Sequence, residues 1–118
     1  LHHKKSWHGQ LFYDTILNCG RARLAPHLKR IMFYVYVLKS RRDKDLYVGF
    51  THDLKTRFIQ HNSGSVRSTR PRAPFDLVYY EAYGSERDAK QREENLKRFS
   101  GAYTHLKRRL IHSLILFK

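Results

Sequence analysis

Between Tyr34 and His61 the chain reads YVYVLKSRRDKDLYVGFTHDLKTRFIQH, a pattern that few folds accommodate. Two short runs of β-branched and aromatic residues, Tyr34 to Leu38 and Leu46 to Phe50, flank the polar segment Lys39 to Asp45. That arrangement predicts two strands joined as a hairpin. Around the first run, Phe33, Val35 and Val37 alternate with Tyr34, Tyr36 and Leu38, so both faces are apolar. Such a strand belongs in the middle of a sheet, covered on both sides. A helix pattern follows. Leu54, Arg57, Phe58 and His61 are spaced i, i+3, i+4, i+7 and share one stripe. An arginine and a histidine thus lie on the stripe of a core-facing leucine and phenylalanine, which points to chemistry rather than plain packing. Thr51 or Asp53 suits the N-cap, and Gly64 suits a left-handed C-terminal stop.

Residues Ser63 to Pro74 form a loop rich in Ser, Gly, Pro and Arg, holding Arg67, Arg70 and Arg72 and no acid. Its composition predicts flexibility and suits either a phosphate backbone or simple solvation. Phe75 to Tyr83 reads as a third strand. Ser85 with Asp88 resembles a capping box that opens a helix from Glu86 to about Phe99. Ser100-Gly101 is expected to break it. A last helix, from Ala102 to about Ile115, carries Lys107, Arg108 and Arg109 beside Leu106, Leu110 and Leu114. The order β-β-α-β-α-α predicts an α+β domain, a three-stranded sheet with helices packed on it. In the Glu86 helix, Ala89, Glu93 and Leu96 share a side, while Glu94 is turned about 100° away toward solvent. A carboxylate on the inner edge of a helix needs a cation or a metal. With 24 lysines and arginines in the chain, salt bridge and metal ligand stay equally open at this point.

The formal charge of +14 selects a polyanionic partner, nucleic acid before a membrane surface. No apolar run approaches the length of a membrane span. A single cysteine, Cys19, excludes an internal disulfide framework and a cysteine zinc cluster, and points to a reducing, cytoplasmic home. Residues 1–31 differ from the rest, with six lysines and arginines against the single acid Asp14. The only methionine, Met32, stands directly before the first strand pattern. Residues 1–31 are therefore expected to be a poorly ordered basic extension, or an upstream reading of the gene, and residues 32–118 the domain. A functional basic arm is the competing reading.

Tyr34-Val35-Tyr36, then Tyr47-Val48-Gly49, then Arg57 and His61, then Glu93, together resemble the GIY-YIG nuclease domain. Small stand-alone members similar to the N-terminal endonuclease domain of the excision-repair nuclease are nearest in pattern. Each motif alone is weak; their joint order and spacing, from about Met32 to Ile115, is specific. Tyr34 replaces the name-giving glycine, a substitution many stand-alone members share. Phe50 stands where the repair nucleases carry a lysine, which removes one phosphate or water contact. A late asparagine used by some members has no clear match after Glu93.

The resemblance implies an antiparallel three-stranded sheet and metal-dependent hydrolysis of a phosphodiester bond in DNA, with RNA left open and a setting in repair or recombination. It implies Glu93 as the protein ligand of Mg²⁺ or Mn²⁺, with water and phosphate completing the shell. Tyr47 would orient or deprotonate the attacking water, with Tyr36 beside it. Arg57 would lower the phenol pKa and bind the developing charge, and His61, titrating near working pH, would accept or relay the proton. Arg67, Arg70, Arg72, Lys107, Arg108 and Arg109 would grip phosphates. The alternative is a non-catalytic basic nucleic-acid-binding module, which would not need a carboxylate in a basic cleft.

Overall fold

The computed structural model describes residues 31–117. The expectations set on residues 1–31 lie, save for Ile31, outside them. Strand β1 (Phe33–Ser40) is central, flanked by β2 (Leu46–Thr51) and β3 (Phe75–Tyr83), both antiparallel to it, in the order β2-β1-β3. Its four central residues, Val35, Tyr36, Val37 and Leu38, are at most 1% exposed. This is what apolar side chains on both faces require, and each face has its own cover.

On one face Tyr36, Leu38 and Phe75 pack with Leu54 and Phe58 of α1 (Leu54–Ser63). On the other, Val35, Val37, Val48 and Val78 meet Ala89 and Leu96 of α2 (Glu86–Arg98) and Leu106 of α3 (Ser100–Arg109). Leu114, from the short α4 (Ile111–Leu116), closes that side. No described helix is long and apolar enough to cross a membrane.

Local chemistry sets the ends of α1. Asp53 Oδ1 accepts the Thr56 N–H at 3.2 Å, and Gly64, at φ 82°, offers its N–H to the last carbonyls. Asn62 then ties the helix to β3, since its side chain donates to the Phe75 carbonyl and accepts the Phe75 N–H. The β1–β2 hairpin is organised by buried Ser40. Its hydroxyl accepts the N–H groups of Arg42 and Asp43 and donates to the Arg72 carbonyl at 2.6 Å. A buried hydroxyl with all three positions used costs little to bury.

Four expectations are corrected. Ser85 stands at the α2 N-cap but makes no side-chain capping bond, so there is no capping box. Ser100-Gly101 does not end a helix but begins α3, because the chain turns at extended Phe99. The final helix is two, broken at Leu110, whose N–H divides between the Leu106 and Lys107 carbonyls while its side chain is buried in the core. Burying that leucine bends the path, and no glycine or proline signals it in the sequence. The basic loop is also more structured than its composition suggests, with a 3-10 turn at Arg70–Arg72 held by bonds to Val66 and Thr69.

Candidate active site

The candidate site is built around Tyr36. In the β1–β2 register it stands opposite Gly49, and its ring lies across that glycine. A Cβ at position 49 would collide with Tyr36 Cζ and Oη and come within 2.9 Å of Cε2. The glycine of Tyr47-Val48-Gly49 is therefore a matter of space. Without a side chain at 49, the Tyr36 phenol can lie flat across the neighbouring strand and present its hydroxyl to α1.

There it meets His61, fully buried, with Tyr36 Oη 2.8 Å from Nε2. The other ring nitrogen, Nδ1, is 2.8 Å from Oγ1 of Thr69, itself 1% exposed. Either tautomer of the imidazole completes this hydrogen-bond chain, because both flanking groups are hydroxyls. Thr69 Oγ1 also lies 3.5 Å from the Val66 carbonyl, to which it can donate. The Arg57 guanidinium acts on the Tyr36 phenol and favours its ionised form.

Burial and the Arg57 charge push His61 down to about 4, so the imidazole is neutral at neutral pH. This corrects the expectation that His61 titrates near working pH. Burial pushes the Tyr36 phenol up to about 12; Arg57 pulls it down, and Tyr47 and Glu93 add to the rise. A buried, neutral Tyr36–His61 pair is a positioning device at rest, since proton transfer between them would separate two charges in a dry site.

Tyr47 lies at the half-buried rim. Its ring centroid is 6.3 Å from that of Tyr36 and 5.1 Å from that of His61. Arg57 reaches from α1, its guanidinium also donating to Gln60 Oε1 at 3.1 Å. Glu93 comes from α2 with its side chain 22% exposed, whereas that of neighbouring Glu94 is 55% exposed and faces Arg98. The inward turn of Glu93 follows from its line with buried Ala89 and Leu96. Tyr36, Tyr47 and His61 thus form one ring cluster, and the charges of Arg57 and Glu93 are near enough to act on the Tyr36 phenol.

Two partners escaped sequence reasoning. Lys97 pairs with Glu93 at 2.7 Å and sets its ammonium 6.0 Å from the Tyr47 ring centroid. Thr69 looks like any loop threonine, and only its burial against His61 distinguishes it.

Among the described residues no group of three His, Cys, Asp or Glu side chains could cage a metal. A lone carboxylate such as Glu93 suits an ion that keeps its waters, as Mg²⁺ does, and does not suit zinc. The Lys97 pair is an i,i+4 contact worth about 0.5 kcal/mol at most, so it would yield to a bound cation at small cost.

The basic residues separate into groups. Arg67 is exposed in the loop after α1. Arg70, also exposed, has its Nε bonded to the Gly64 carbonyl at 2.7 Å. Arg72 is committed elsewhere, which corrects the reading of a loop remote from acids. It donates to Asp43 at 2.7 Å and lies 5.7 Å from the Phe75 ring centroid. Hydrogen bonds from Arg72, then from the Asp45 backbone, hold the Asp43 carboxyl down at about 2. On α3, Lys107 lies over Tyr103 at 4.6 Å, and Tyr103 shares a depression at β2 with Tyr47 and Lys97. Arg108 and Arg109 line a different groove, with Arg92 and His105. The Lys107–Arg109 cluster is therefore divided between two surfaces.

Residues 32–108 match the family described as the GIY-YIG catalytic domain. A UPF0213 protein of Clostridium perfringens is 41% identical over 70 residues, 58% of this chain and 74% of its own. A UPF0213 protein of Streptococcus pyogenes is 38% identical over 87 residues, 67% of this chain and 94% of that one. The solution NMR structure of a UPF0213 protein from Bacillus halodurans is 34% identical, covers 64% of this chain and 81% of its own, and superposes with a TM-score of 0.42.

Proposed function

The chain belongs to the GIY-YIG catalytic-domain family, a family of nucleases, and from that premise we propose that it is a metal-dependent endonuclease hydrolysing phosphodiester bonds in DNA. What supports this reading is the cluster of Tyr36, Tyr47 and His61 beside Gly49, with the charges of Arg57 and Glu93 acting on the Tyr36 phenol. A phosphate-binding surface alone has no use for an inward carboxylate beside a buried tyrosine–histidine pair.

In this reading Arg57 holds the scissile phosphate and the charge that grows on it in the transition state. The neutral His61, held by Thr69, keeps the Tyr36 hydroxyl fixed at the floor of the site. Tyr47, at the open rim, orients the attacking water and passes its proton outward through its own hydroxyl. Glu93 is the residue to hold Mg²⁺ or Mn²⁺, with waters and phosphate oxygens completing the shell. A bound divalent ion would offset charge on the phosphate and on the leaving 3′ oxygen. Arg67, Arg70 and Lys107 supply phosphate contacts beyond the reacting one.

Two adjacent acids provide the test. Glu93→Gln should lose at least a hundredfold in single-turnover cleavage in magnesium, about 3 kcal/mol on the barrier. Glu94→Ala should stay within about threefold of the parent. DNA binding in chelator should hold or improve for Glu93→Gln, because a negative charge leaves a polyanion site. Normal cleavage by Glu93→Gln with a dead Glu94→Ala would refute the assigned metal site. If neither change matters, the nuclease reading fails and a non-catalytic binding module takes its place.

A further inference from the structure

The sheet face that carries Tyr36 continues into a feature the proposed chemistry does not use. Tyr34, Leu54, Phe58, Leu77 and Tyr80 line an open groove there, with Asp53 and Lys55 also bordering it. Tyr80 stands opposite Tyr36 in the β1–β3 register and so lies on the same face. It packs edge-on against Tyr34, with ring centroids 5.9 Å apart and planes at 65°. Tyr34 is two residues from Tyr36 along β1, so the groove adjoins the candidate site on one continuous surface. Tyr80 is nevertheless 52% exposed, a large ring held in place by its neighbour but left open to water.

We propose that this groove binds an unpaired nucleobase next to the scissile phosphate, so that the substrate is single-stranded or carries unpaired bases at a junction. The inference rests on the nuclease reading for the position of that phosphate. A pre-positioned aromatic ring above an apolar floor matches the face of a base, and every base has one. In an intact duplex both faces are stacked and unavailable, so the groove selects bases outside the helix. The formal charge of +14 favours a polyanionic strand and opposes a second copy of the same chain as occupant. Lys55, exposed on α1, is placed to meet the backbone of that strand. The one acid at the groove, Asp53, has its carboxylate engaged by the Thr56 N–H.

The experiment uses the full chain in chelator and a short single-stranded DNA carrying one 2-aminopurine, against the duplex of the same sequence. Tyr80→Ala should weaken single-strand binding about tenfold, leave duplex binding within about twofold, and abolish the quenching of the 2-aminopurine. Tyr80→Phe should restore all three readings. Tyr80→Leu, which keeps apolar bulk and loses the ring face, should behave as the alanine variant and carries the same question if that variant misfolds. Equal losses on both substrates, no loss on either, or a phenylalanine variant as weak as alanine would overturn the proposal. So would a dimer in sedimentation that Tyr80→Ala dissolves. Cleavage by the parent in magnesium is scored separately. If the parent cuts nothing while Tyr80→Ala still loses single strands selectively, the nuclease reading fails and the base groove stands.

Discussion

Adding one methyl group at Gly49 tests the geometry of the site. The Cβ of Gly49→Ala would be driven into Tyr36 Cζ and Oη, with Cε2 2.9 Å away. That ring cannot swing aside, because Tyr36 is 1% exposed and its hydroxyl is bonded to fully buried His61. Forcing a methyl group into a well-packed position costs about 1–3 kcal/mol. At about 4–8 °C per kcal/mol for a domain of this size, the melting temperature should fall by about 5–20 °C. Gly101→Ala provides the control, since a Cβ there meets nothing within 4 Å and the residue lies in α3. It should stabilise by about 0.5–1 kcal/mol through helix propensity. The same substitution thus has opposite signs at two glycines. Circular-dichroism melts of both variants and of Tyr36→Leu/Gly49→Ala give the answer. The double variant should cost at least 0.5 kcal/mol less than the two single changes added together, because one clash is shared (~0.5 kcal/mol is the additivity error for independent sites). A Gly49→Ala protein that melts with the parent would show that Tyr36 does not lie across β2, and the site built on that contact would fall.

His61 supplies a pH prediction. Its folded-state pKa, about 4, lies below its ordinary value of 6.5, so the unfolded chain binds the extra proton between them. Stability from this group is complete above about pH 6.5 and is lost as pH falls toward 4, by at most about 3 kcal/mol; melts of parent and His61→Gln across that window should show a shallower fall in the variant. Thr69→Val keeps the shape but leaves the buried His61 Nδ1 without its hydrogen-bond partner, at about 1–3 kcal/mol. Thr69→Ser should recover most of that loss, in melting temperature and in cleavage, and a serine variant no better than valine would refute the His61–Thr69 hydrogen bond. The loop arginines should separate by assay. Arg67→Ala should flatten the slope of log affinity against log salt by up to about 0.9 with folding unchanged, whereas Arg72→Ala should lower the melting temperature by releasing Asp43.

Element order was legible in the sequence because its causes are local. Alternation on both faces marked β1, aromatic content marked β3, and Asp53 and Gly64 bounded α1 within the span of their own hydrogen bonds. The inward turn of Glu93 was legible too, since helical spacing ties it to Ala89 and Leu96. The contacts that make these residues a site are of another kind. That Tyr36 faces Gly49 depends on the register of two strands, and that His61 finds Thr69 depends on how the loop after α1 folds back. Arg72 reaches Asp43 across 29 positions of sequence, and Leu110 breaks a helix to fill a core assembled by the sheet. Each of these is decided by what else is buried nearby, and burial is a property of the assembled domain. The pKa values follow the same division. The residue types Tyr36 and His61 can be read from the chain, but the desolvation that moves one up and the other down exists only once α1 closes over β1.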